Sequence, residues 1–122
     1  MIEDDLRTLL AESMPGIRCY SRMIPLELPE CITVQEIGGT PSTAGIRRAV
    51  QRISVMAIST DQATAQDRLR QARNAIIRGL PADIGGTHYY LATALADGSL
   101  KKKALNGPRY IEFTDMEVVA SL

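Results

Sequence analysis

The chain has 122 residues, a length that suits one domain and allows roughly two-thirds of the unfolded surface to be buried. Apolar residues make up 45% and charged residues 23%, with fourteen cations against fourteen anions. That composition excludes a disordered chain. It also argues against a dedicated nucleic-acid binder, which needs an excess of Lys and Arg, and against a peripheral membrane protein.

The first element is an amphipathic helix over about Ile2–Met14. Ile2, Leu6, Leu9, Leu10 and Met14 recur at helical spacing, and Glu3, Asp4 and Asp5 suit the positive end of the helix dipole. Pro15-Gly16 ends it. Ile17–Ile24 is strand-like. Pro25 and Pro29 make the following stretch a bend or a sheet edge. Cys31–Ile37 reads as a strand and Gly38–Gly45, "GGTPSTAG", as a loop.

Ile46–Ser59 is the longest strand candidate. From Ile53 onward both of its faces are apolar apart from Ser54, so it is expected to be covered on both sides, by the chain's own helices or by a neighbouring subunit. The clearest helix follows. Ser59, Thr60 and Asp61 offer N-caps, Ala65, Leu69, Ala72, Ile76 and Leu80 form an apolar stripe, and Gly79 and Pro81 stop it. Thr87–Leu95 reads as a strand, Asp97-Gly98 as a hairpin turn and "LKKKAL" as the returning strand. Asn106–Pro108 is a second turn, and Arg109–Ser121 is a final strand. The expected fold is a single α+β domain over 1–122. Its mainly antiparallel sheet is flanked by an N-terminal helix and one central helix.

Cys19 and Cys31 sit in apolar runs, and the opening "MIEDDLRTLL" is acidic where a signal peptide needs a basic region. No apolar run reaches membrane-span length. A cytosolic protein with reduced, buried thiols is expected, a disulfide across Cys19–Cys31 being the alternative. Two Cys and one His without CxxC spacing make no zinc site.

IGGT occurs at Ile37–Thr40 and again at Ile84–Thr87. A phosphate loop opens directly into a helix and follows its last glycine with Lys and Ser or Thr; neither copy does so. Both read as Gly-Gly turns beside strands. His88, the single histidine, has no partner motif for general-base work and is expected to be packed or at the surface. Asp115 and Glu117 share a strand face but are too few for a metal. Lys101, Lys102 and Lys103 read as a solvated, edge-protecting patch, with phosphate contact as the alternative. No catalytic, cofactor or metal site is expected, and no enzyme.

From Pro29 onward the chain resembles the small tail-terminator, tail-completion and minor capsid proteins of long-tailed bacteriophages and prophages. The features that carry the resemblance are "LPECITVQEIGG" leading into a polar loop, the long strand "IRRAVQRISVMAIS", the Ala-rich helix "TDQATAQDRLRQARNAI" and the closing strand "PRYIEFTDMEVVA". The resemblance implies a virion protein of the head–tail junction, assembled in the bacterial cytoplasm. It implies a ring, usually hexameric, that caps the tail tube, stops its polymerisation and presents the docking surface for the head. The implied partners are other copies of the chain, the major tail tube protein and the head-completion or connector protein. DNA only passes through the lumen, and no membrane is involved. A small α+β ligand- or nucleic-acid-binding regulator is the alternative.

The loop after the first Gly-Gly and the arginines that follow it are the candidate assembly surface: Gly38, Gly39, Thr40, Pro41, Ser42, Thr43, Arg47 and Arg48. Lys101, Lys102 and Lys103 join them. The acidic turn Glu3–Asp5 of an adjacent subunit is one candidate partner for Arg47 or Arg48.

Overall fold

The computed structural model describes residues 2–40 and 48–121. In chain order the elements are α1 (Ile2–Ser13), β1 (Cys19–Ser21), β2 (Cys31–Thr40), β3 (Arg48–Ser59), α2 (Gln62–Gly79), β4 (Ala82–Ile84), β5 (Thr87–Ala104) and β6 (Gly107–Ser121). The six strands form one sheet in the order β1-β2-β3-β6-β5-β4. The β1–β2 pair is parallel and the others are antiparallel. This is the expected α+β fold.

Both helices lie on the same face of the sheet. Ile2, Leu6, Leu9 and Leu10 of α1 and Leu69, Ala72 and Ile76 of α2 meet Ile32, Val34, Ile53, Val55, Ala57, Met116, Val118 and Ala120 in one core. Alternation along β3 therefore sends Ile53, Val55 and Ala57 to the helices and Met56 and Ile58 to the other side. Helix α2 starts where Asp61, in extended backbone, accepts from the Thr64 amide at 3.0 Å. The Thr64 hydroxyl, which donates to the same carboxylate at 2.7 Å, and then that amide hold the Asp61 carboxyl below its usual range.

Polar groups pin the helices in place. Asp4 accepts from the Ser21 hydroxyl at 2.7 Å and pairs with Arg22 at 2.9 Å. Tyr89 donates to Asp5, with both side chains buried. Glu112, buried on the helix face, accepts from Gln62 and Gln66 of α2, each at 3.2 Å, and from Ser99 of β5.

Three expectations need correction. First, Asp97-Gly98 is no hairpin turn. Strand β5 runs unbroken past it to Ala104, and the chain turns at Leu105-Asn106. Gly98 lies across from Phe113, and a Cβ on it would come within 2.3 Å of the Phe113 ring. The glycine is there to admit an aromatic side chain. Second, Gly38, Gly39 and Thr40 extend β2 beyond a bulge at Glu36/Gly38, so the first IGGT lies in a strand. Third, the acidic first turn of α1 is used within its own chain, since Glu3 also accepts from the Glu36 amide at 3.3 Å. The second IGGT is a turn as expected: Gly85 and Gly86, at φ 59° and 83°, join β4 to β5 in a two-residue hairpin that demands positive φ at both positions.

Candidate assembly surface

Strand β3 is covered by helices on one side only. On the other side, cross-strand register lines up bands across β3, β6 and β5. Ile58, Ile111 and Leu100 form one apolar band, and Met56 and Phe113 with Gly98 form the next. Ser54, Asp115 and Ala96 follow. Arg52 and Glu117, paired at 3.2 Å, make a polar divide. Beyond it lies a further apolar band of Val50, Val119 and Leu91.

The segment between β1 and β2 folds over part of this face. Tyr20, Leu26, Leu28 and Met56 pack against buried Cys31, Ile58 and Ile111. Arg109, itself buried, fixes the segment by donating from Nε to the Leu28 carbonyl at 3.1 Å. The cover is incomplete. A cavity of about 330 Å³ opens between the segment and the sheet, lined by Ile24, Leu26, Ile37, Met56, Ile111, Phe113 and Leu100. Lys102 stands at its distal end and Ser54 and Asp115 at the other. Asp115 has no hydrogen-bond or ion-pair partner among the described residues. Ile24, Ile37, Leu91 and Leu100 remain exposed. Exposed leucines and isoleucines grouped on one sheet face mark a contact surface.

The β5–β6 hairpin is the second prominent feature. The last β3 residue, Ser59, pairs with Tyr110, whereas the hairpin continues through Lys102↔Arg109 and Lys103↔Pro108 to Ala104↔Gly107. Its tip therefore projects about 10 Å beyond the sheet. Lys101, Lys102 and Lys103 are all exposed on it. Lys101 Nζ lies 5.4 Å from the centre of the Tyr110 ring, and Leu105 at the turn is fully exposed.

The candidate residues do not come together. Gly38 and Gly39 pair with Arg52 and Gln51, and Arg48 pairs with Ser121 at the opposite end of β6 from the lysines. Seven to eleven strand positions along β3 separate the two groups, about 23–36 Å. Pro41, Ser42, Thr43 and Arg47 lie outside the described residues. The sequence reading missed the apolar bands. Their signal was present in the two-sided apolarity of Ile53–Ile58, and Ile111, Phe113 and Leu100 complete it only once the register is known.

The remaining chemistry is sparse. His88 Nδ1 is 2.7 Å from Asp83 Oδ1 and the ring sits edge-on to Tyr90, a surface arrangement. Burial raises the Cys31 thiol to about 11, and Cys19 is raised by burial as well. Both thiols are free. No group of three or more His, Cys, Asp or Glu is placed to hold a metal among the described residues.

No protein-family model matches the chain, and no curated protein matches its sequence. Solved structures do match its fold. A chain of the virion of a native gene transfer agent (GTA) particle superposes with a TM-score of 0.64 at 14% identity, covering 98% of this chain and 95% of that one. A second solved structure superposes at 0.58 and 10% identity, covering 96% of this chain and 89% of that one. At these identities what is shared is the architecture, end to end: two helices on one face of a six-stranded sheet, in a fold that a virion particle also contains.

Proposed function

We propose that this chain is a structural protein of a phage or prophage virion. In this reading it forms a ring that caps the tail tube, ends tube polymerisation and presents the head–tail joining surface. The observation that carries the reading is the end-to-end likeness in fold to a chain of a gene transfer agent virion. The resemblance in element order to tail terminators points the same way, and so does the partly uncovered apolar sheet face, which suits a subunit of an assembly. The partners are further copies of the chain, the major tail tube protein and the head-completion or connector protein, at the head–tail junction of a virion assembled in the host cytoplasm. DNA only passes through the lumen, in keeping with the zero net charge. The protein carries out no reaction.

The test adds purified protein to polymerising tail tubes of the same phage. Tubes should stop at uniform length with a ring at one end in electron micrographs. Tubes that grow on uncapped at saturating protein would refute the reading.

A further inference from the structure

We infer that the β5–β6 hairpin tip of one copy seats in the open cavity of a second copy, with Leu105 as the anchor and Lys103 directed to Asp115. The inference rests on the ring reading and names the two surfaces that meet.

A two-residue turn favours Asn, Asp and Gly, and a leucine there gains nothing locally. Leu105 is nevertheless fully exposed, at the end of a hairpin that stands clear of the sheet. Arg109, buried and bonded to the Leu28 and Pro108 carbonyls at 3.1 Å each, stiffens the base of that hairpin. The tip is thus a stiffened arm ending in an exposed apolar group, which suits contact with a partner.

The cavity is its complement. It is lined by aliphatic and aromatic side chains, with Asp115 and Ser54 at its inner end and Lys102 at its outer one, and about 330 Å³ accommodates a leucyl side chain with part of its turn. Leu105 cannot fill the cavity of its own chain. That cavity ends at Lys102, and Leu105 lies three residues beyond it at the hairpin turn, about 10 Å away. A second molecule is required.

Charge favours a second copy as that molecule. Each chain, neutral overall, offers a tip bearing Lys103 and a cavity bearing Asp115, a carboxylate with no ion-pair partner among the described residues, so one species supplies both halves. Tip and cavity are different patches, which makes the contact heterologous. Such contacts close into rings when the rotation per subunit permits.

The experiment uses sedimentation velocity on the full chain, and electron microscopy of rings on tail tubes, with thermal melting to confirm folding. Leu105→Asp and Leu100→Asp both change exposed side chains, so both variants should melt as the wild type does. Each alone should weaken self-association by at least tenfold and leave tubes without rings. Mixed in equal amounts, they should give dimers that grow no further, since one variant retains an intact cavity and the other an intact tip. Asp115→Lys should also weaken association, and adding Lys103→Glu to it should recover part of the loss. Folded Leu105→Asp forming rings at wild-type concentrations would overturn the inference and leave the ring reading standing. A mixture that stays monomeric, or a double charge variant no better than Asp115→Lys, would also overturn it. Wild-type protein that forms no oligomer in solution or on tubes would remove both the inference and the reading beneath it.

Discussion

Ile76→Ala tests the placement of α2 most directly. Ile76 is wholly inaccessible and sits among Ile53, Val55 and Met116 in the main core. Alanine removes three carbons, worth about 2.4 kcal/mol in transfer free energy at about 0.8 kcal/mol each. The cavity left between helix and sheet adds to that, giving about 3 kcal/mol. For 122 residues the unfolding entropy near 60 °C is about 0.26 kcal/mol/K, so the melting temperature should fall by about 12 °C. The neighbouring Ile77 is the control. It is 40% exposed, and alanine there has the better helix propensity, so Ile77→Ala should cost under about 1 kcal/mol. Urea titration followed by circular dichroism gives both values, provided the slope with denaturant is unchanged. Equal losses for the two variants, or a loss below about 0.5 kcal/mol for Ile76→Ala, would mean that α2 presents a different face to the sheet.

Tyr89→Phe removes the donor to buried Asp5 and should destabilise by about 1–3 kcal/mol, read from the same titration; an unchanged midpoint would show that Asp5 is satisfied elsewhere. Asp4 has its carboxyl lowered, chiefly by the Ser21 hydroxyl and then by Arg22. A folded pKa below the unfolded one means that its stabilisation is complete above about pH 4 and is lost as pH falls through the lowered value, so Asp4→Asn should show a shallower acid limb of stability below about pH 4 than the wild type. Cys31, raised to about 11 by burial, should remain unmodified by iodoacetamide at pH 8 in native protein and react on unfolding, as mass spectrometry would report; rapid native labelling would contradict its placement in the core.

The helices were legible because their signals are local. The Asp61 cap and the stripe Ala65, Leu69, Ala72 and Ile76 lie where the 3.6-residue period puts them. The sheet was less legible because its decisive partners are distant in sequence. Asp97-Gly98 has the letters of a hairpin turn, but Phe113 packs over the glycine and Arg73 of α2 lies 3.4 Å from Asp97, so the strand continues straight through. "GGT" after Ile37 has the letters of a loop, yet it pairs with Val50–Arg52 across a bulge. The partly uncovered apolar face followed the same rule. Two-sided apolarity in β3 announced that its second face needed a cover, but which residues share that face depends on β5–β6 register, which no short window of sequence contains.

The sheet order has a consequence for synthesis on the ribosome. Strand β6, made after the other five, is inserted between β3 and β5, and among the described residues no other strand joins the two halves of the sheet. A nascent chain that has emerged only as far as residue 106 can hold β1–β3 together and can close the small β4–β5 hairpin, but those halves have no edge in common. Ile53 and Val55 then lack Met116 and Val118 beside them. Completion of the core is thereby deferred until β6 has been made. A chain that stops early exposes its apolar strands to proteases and lacks the returning arm of the projecting hairpin. The topology acts as a length check, leaving the core incomplete in any product that has not been translated through β6.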